Sequence, residues 1–423
     1  MATVKVPERC ALAAVAVSAA ISLTAGCAHR PPPPPIEPVV LERVPVDAWP
    51  DMTDDGEPDS LAAACAATGG YLDQTPADRV FAFGAYRRTA GELELGLRRA
   101  CDIVMSGGAA GERQRRIQDE FILLRSTGRD GTGEVLFTGY FEPLLTARRV
   151  PSGRFIHPVY GVPDDLITVD LDDFGVAAEP SPLVGRVEAR RLVPYPDREA
   201  IDYDGALTDG VEVLGFVDDP IELFFLHVQG SGTLVFPDGG RLRAGYATSN
   251  GRPYRSIGRL LIDEGAVSRQ QMSMQAITDY LRDHPEDLKR VLSFNPSYVF
   301  FRPLPAAGGP LGCYGEPLTG GRSIATDRRL FPAPVMAWVR ATIPGHDGDE
   351  PIARFVLNQD TGGSIRGPGR VDLFFGQGDR AGEIAGHTKH IGELYVLLPK
   401  RTADRARHEQ RERSMAPGSN VTR

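Results

Sequence analysis

The stretch that decides how this chain is read is Asn358-Gln359-Asp360-Thr361-Gly362-Gly363-Ser364-Ile365-Arg366-Gly367-Pro368-Gly369-Arg370-Val371-Asp372-Leu373-Phe374-Phe375-Gly376-Gln377-Gly378-Asp379. Its second half reads as an apolar strand in which Val371, Leu373, Phe374 and Phe375 surround Asp372. Desolvation there favours a protonated carboxyl, and a general acid needs one. The same residues allow a second reading, in which Asp372 is a carboxylate paired with Arg370 or Arg366. Asp360, ahead of Thr-Gly-Gly, reads first as a turn aspartate that bonds its own backbone. Asp379, in Gly378-Asp379-Arg380, fits a turn or a site equally well.

Outward from this stretch the texture stays β. Residues 297–302, 352–357, 371–375 and 394–398 are short apolar runs joined by Gly-rich loops. So are 211–217, 223–228 and 233–236, the last followed by the turn Pro237-Asp238-Gly239-Gly240. Helices are expected over 61–65, 79–105 and 256–264, and after the capping-box pattern Ser268-Arg269-Gln270-Gln271, with Met274, Ile277 and Leu281 on one face. Asp283 and Pro285 start the next, with Leu288, Val291 and Leu292 as its stripe. The 47 Gly and 35 Pro among 423 residues suit a turn-rich β protein with accessory helices and exclude a long coiled coil.

Charge narrows the partners. Lys plus Arg number 47 against 56 Asp plus Glu, a net charge of −9, which argues against a general nucleic-acid binder. Lys5 and Arg9 precede a small apolar run over 10–23, too short to span a bilayer comfortably. The run ends in Leu23-Thr24-Ala25-Gly26-Cys27, which resembles a bacterial lipobox. Residues 1–26 are then a cleaved lipoprotein signal, and acyl chains on Cys27 hold the protein on a membrane without a spanning helix. Ala28 after the lipidated Cys favours the periplasmic face of the outer membrane. Residues 27–56, with five consecutive prolines, read as a stiff tether, and 400–423 as a disordered tail.

Cys65, Cys101 and Cys313 remain; a Cys65–Cys101 disulfide and buried thiols are both open. The chain lacks Cys-x-x-Cys, Gly-x-Ser-x-Gly, a Walker loop and His-Glu-x-x-His. His387 and His390 have metal-like spacing but read as surface residues, so no metal or cofactor is expected. Asp360-Thr361-Gly362-Gly363 departs from the aspartic-protease loop at Gly363, and no second copy occurs.

Taken in order, Gly139-Tyr140-Phe141-Glu142-Pro143, His227-Val228-Gln229-Gly230-Ser231-Gly232, Asn250-Gly251-Arg252-Pro253-Tyr254, Asn295-Pro296-Ser297-Tyr298-Val299-Phe300-Phe301, Gly320-Gly321-Arg322-Ser323-Ile324-Ala325 and the three-aspartate stretch closely resemble the membrane-bound lytic murein transglycosylase A family. The resemblance spans about residues 60–400. It implies a double-psi β-barrel domain from 57–142 and 244–399, containing the 3D motif at 352–399, with a smaller β domain inserted at 143–243 and a groove between them. It implies peptidoglycan glycan strands as substrate and Asp372 as the acid/base, supported by Asp360 and Asp379. Tyr140, Glu142, Gln229 and Ser231 are expected to line the groove. Phe141 stands where relatives commonly carry a second Tyr. The implied reaction cuts the N-acetylmuramic acid to N-acetylglucosamine bond by internal attack of the C6 hydroxyl, without water, in a monomer that could join wall-synthesis complexes. Two other readings compete: a hydrolase, which needs a second carboxylate roughly 5 to 9.5 Å from Asp372, Glu142 being the candidate, and a non-catalytic glycan-binding wall protein.

Overall fold

The computed structural model describes residues 40–401, apart from 177–181, 208, 305–308, 346–347 and 364. The expected signal, the lipidated Cys27, the prolines that follow it and the tail beyond Arg401 lie outside the described residues. Six strands close into a barrel: β1 (Val135–Glu142), β2 (Ser323–Ala325), β3 (Met336–Pro344), β4 (Asp349–Asp360), β5 (Arg370–Gln377) and β6 (Lys389–Pro399). Their order is β6-β3-β4-β2-β5-β1, and β1 pairs back onto β6. The β1–β5 and β2–β4 pairs are parallel, the remainder antiparallel. Closure removes the exposed edges that an open sheet would carry.

Phe137, Trp338, Phe355, Leu373 and Val396 fill the core between the barrel and its covering helices. Those helices are Pro58–Gln74 and Ala90–Met105, joined by a Cys65–Cys101 disulfide with Cα atoms 6.5 Å apart. The second opens on a capping box: Glu92 N–H donates to the Thr89 hydroxyl, and Thr89 N–H to the Glu92 carboxylate at 2.8 Å. Thr89 is thus where the helix begins. Residues 79–89, expected as helix, form a hairpin of Val80–Phe83 and Tyr86–Thr89 instead. Exposed Val80, buried Phe81, exposed Ala82 and buried Phe83 alternate with the period of a strand, and Gly84 turns the chain at φ +57°.

Part of the segment read as tether belongs to the fold. Leu41–Arg43 pairs with Phe121–Ser126 at the barrel flank. Asp54 binds Arg322 at 2.9 Å and Asp55 binds Arg354 at 2.7 Å. Arg322 is buried and also donates to Phe355 O and Ser60 Oγ, so the Gly-Gly-Arg-Ser motif clamps this arm onto β4.

A second sheet of six strands runs Val299–Leu304, Arg241–Ser249, Ser231–Val235, Leu144–Arg148, Val213–Val217 and His157–Tyr160. The sequence boundary at 243/244 falls inside Arg241–Ser249, which pairs along its length with Val299–Leu304. The sheet therefore continues past the boundary that the resemblance implied. Residues 223–228, expected as strand, lie in the helix Pro220–Gln229: Asp219 Oδ1 caps Ile221 N–H at 2.8 Å and Pro220 occupies the first turn. Ile221, Leu223, Phe224, Leu226 and His227 are buried, and the more exposed side carries Phe225 and Val228, so no polar stripe marked the helical period. The Ser268–Gln271 pattern makes a local turn, and the helix Met274–Asp283 starts one step later with Ser273 as its cap.

Candidate active site

Register brings the two central aspartates to one place. Ala325 on β2 pairs with Asp372 on β5 and with Asp360 on β4. Paired residues point to the same face, so both carboxyls flank this short strand on one side. Asp372 also pairs with Thr138 on β1.

Asp372 has a 17% exposed side chain, and its Oδ1 is buried with no hydrogen-bond partner among the described residues. Burial pushes the carboxyl up to about 6, against the pull of the neighbouring Arg370 cation. Arg370 Nη2 lies 3.7 Å from Oδ1, beyond hydrogen-bond range. The ion-pair reading of Asp372 is thus half right: the cation is adjacent, but the carboxyl is not locked to it.

Asp360 has the opposite environment. Its Oδ1 accepts Cys313 N–H at 3.0 Å and Thr361 N–H at 2.8 Å, and its Oδ2 accepts the Tyr140 hydroxyl at 3.0 Å. Burial nevertheless holds it up at about 6, and the charge of Asp372 acts in the same direction. The turn role expected from Asp-Thr-Gly-Gly is present in the Thr361 bond. Tyr140 spends its hydroxyl on Asp360 and packs at a tilt against Phe374 with ring centroids 5.1 Å apart, and burial pushes its phenol upward so that it stays a neutral donor.

The remaining candidates sit apart from this pair. Glu142 is 1% exposed, 3.7 Å from Arg243 Nε, and accepts from Gln377 Nε2. Gln229 Oε1 accepts Phe141 N–H at 3.2 Å, tying the Pro220–Gln229 helix to β1. Ser231, half-buried, opens a strand opposite Gly245. Asp379 is exposed at the start of the helix Asp379–His387, where its charge helps push the Glu222 carboxyl up. Neither Asp360 nor Asp379 has a hydrogen bond to Asp372 among the described residues. His387 and His390 part company: one ring bonds Glu383 O at 2.8 Å, the other lies 3.7 Å from Asp349. Thr138, Cys313 and Ala325 carried no sequence signal, because only strand register and a returning loop bring them to the aspartates.

A closed β-barrel with a half-buried aspartate that has an unpartnered oxygen on one strand, and a second β sheet emerging between β1 and β2, defines a two-module protein with a carboxyl site on its barrel. Residues 136–302 match the family model described as the MltA specific insert domain, and 322–398 match the 3D domain. The membrane-bound lytic murein transglycosylase A of Escherichia coli K12 is 34% identical over 64% of this chain and 67% of its own length. Its Vibrio cholerae counterpart is 35% identical over the same shares. Among solved structures, the Agrobacterium tumefaciens membrane-bound lytic murein transglycosylase superposes with a TM-score of 0.71 at 32% identity, over 86% of this chain and 99% of that one. Escherichia coli MltA with bound chitohexaose gives 0.65 at 27% identity, over 86% and 95%. The chain belongs to the membrane-bound lytic murein transglycosylase A family.

Proposed function

We propose that this chain is a peptidoglycan lytic transglycosylase in which Asp372 serves first as acid and then as base. The observation that carries the reading is the state of that side chain: half-buried, with a free oxygen and a carboxyl pushed up to about 6. Protonated Asp372 donates to the bridging oxygen between N-acetylmuramic acid and N-acetylglucosamine, and the C1–O bond breaks. The resulting carboxylate removes the proton of the C6 hydroxyl on the same muramic residue, and O6 bonds to C1. The products are a 1,6-anhydro end and a free C4 hydroxyl; no water enters. Holding both reacting groups on one sugar ring lets a single carboxyl do both transfers.

In this reading the strand lies in a groove between a double-psi barrel and the inserted module, with Tyr140, Gln229 and Ser231 along it and Asp379 at its rim. Glu142, almost fully buried and partnered by Arg243 and Gln377, supports the wall rather than serving as the second carboxylate of a hydrolase. A lipid on Cys27 anchors the protein at the periplasmic face of the outer membrane. Among the described residues no helix is long and apolar enough to cross a membrane.

Digesting purified peptidoglycan with wild-type protein and Asp372→Asn, followed by mass spectrometry, tests the reading. Wild type should release products one water lighter than hydrolytic ones, and the variant should bind glycan without releasing them. Reducing-end products from wild type, or unchanged release by the variant, would overturn it.

A further inference from the structure

This inference rests on Asp372 being the acid. We propose that Arg370 is a positioning residue that keeps Asp372 able to serve in both protonation states, and that Thr138 holds Arg370 in place to do so. Arg370 and Asp372 are two apart on β5 and share a face, and Thr138 is the register partner of Asp372 on β1. The guanidinium is thereby suspended between them: Nη2 donates to Thr138 Oγ1 at 3.2 Å and lies 3.7 Å from Asp372 Oδ1. Its Nε is buried and has no hydrogen-bond partner among the described residues.

That spacing has a chemical consequence. A hydrogen-bonded Arg–carboxylate pair would hold Asp372 ionised and spoil it as an acid. A buried carboxyl with no cation beside it would keep its proton too firmly and make a poor leaving-group donor. At 3.7 Å the cation acts mainly through its charge, which is strong in a partly desolvated site, and forms no close hydrogen bond to Oδ1.

Few other charges face this pair. Asp360 from β4 and Tyr140 from β1 lie within electrostatic reach of Asp372, whose charge helps push both the Asp360 carboxyl and the Tyr140 phenol up. Cys313 is a thiol pushed up to about 12 by burial and carries no charge. Tyr254, from the inserted module, lies within electrostatic reach of Arg370 and is itself held neutral. The helix Asp379–His387 packs on β5 and carries Asp379, Arg380, Glu383 and His387, none hydrogen-bonded to Asp372 among the described residues. Among the described residues, Arg370 is the one cation that acts directly on Asp372.

The test is the pH dependence of kcat/KM for anhydro-sugar release by wild type, Arg370→Gln, Arg370→Lys and Thr138→Val. The basic limb reports the acid of the free enzyme. Arg370→Gln should move that limb upward by about one pH unit or more. Arg370→Lys, which keeps the charge, should stay within about half a unit of wild type, and Thr138→Val should move the limb upward by less than the Gln variant. A basic limb that stays put in Arg370→Gln, with activity lowered equally at every pH, overturns the proposal. If Arg370→Gln does not fold, an unmoved limb in Thr138→Val overturns it. Failure of wild type to release anhydro sugar at any pH would instead sink the transglycosylase reading itself.

Discussion

Tyr140 donates its hydroxyl to Asp360 Oδ2 at 3.0 Å, and this bond makes Asp360, not Asp372, the saturated member of the carboxyl pair. Both are pushed up to about 6, yet one accepts three donors while the other has an oxygen with none. A carboxyl whose oxygens are all engaged is poorly placed to give a proton to a ligand; a partly exposed one that accepts no hydrogen bond is better placed. The environments, rather than the residue type, divide support from chemistry.

Tyr140→Phe removes one of those donors and leaves Asp360 Oδ2 short of a partner. Stability should fall by about 1 to 2 kcal/mol in urea denaturation, the cost of an unpaired buried polar atom. The anhydro product should persist at reduced rate. Complete loss of the product with unchanged stability would show that the phenol meets the sugar directly.

Asp372→Asn should stabilise the protein at neutral pH while removing activity. Burial moves this carboxyl from its ordinary 3.8 to about 6 in the folded state, so the folded protein holds the proton more tightly than the unfolded chain. Between pH 4 and 6 the native state binds more protons, and stability falls as pH rises through this window. Above it, ionising Asp372 costs the folded state about 3 kcal/mol. The variant should therefore unfold at higher urea than wild type at pH 7, and the gap should close below pH 4. A gap that is equal at both pH values would mean that ionisation is not its source.

How much of this was legible in the sequence depends on what kind of signal each feature leaves. Asp372 stood out because four apolar neighbours within four positions imply burial whatever the fold. The Thr361 turn bond of Asp360 was legible for the same local reason. Its bonds to Tyr140 and Cys313 were not, because they depend on strands and loops 220 and 47 residues away. The Pro220–Gln229 helix was misread because Phe225 and Val228 lie on its more exposed side and His227 on its buried one, so no clean polar face separates helix from strand. Glu142 was placed in the groove by motif position alone; its burial against Arg243 is a property of the junction between the two sheets, which no local pattern encodes.

The disulfide left open by cysteine spacing joins the two helices that cover the barrel, across 36 residues. A loop of that size corresponds to roughly 4 kcal/mol of chain-entropy stabilisation. Cys65→Ser with Cys101→Ser should lower the unfolding free energy by up to that amount, and reductant should lower wild type to the same level without affecting the double variant. Identical denaturation curves for oxidised and reduced wild type would show that the bridge contributes nothing.

Glu142 and Arg243 offer the sharpest separation of wall from chemistry. The carboxylate comes from the end of β1 and the guanidinium from the second sheet, 3.7 Å apart and each almost fully buried, so they join the two modules at their junction. Arg243→Met strands a buried carboxylate beside Gln377 and should cost about 3 to 5 kcal/mol. Burial already pushes the Glu142 carboxyl up, and without Arg243 it should rise further, so the loss should be greatest at high pH and shrink as the medium is acidified. Glu142→Gln removes the charge while keeping the shape, and should be milder in stability and still release anhydro sugar. If that variant folds as stably as wild type but yields nothing, Glu142 takes part in the reaction rather than only supporting the wall.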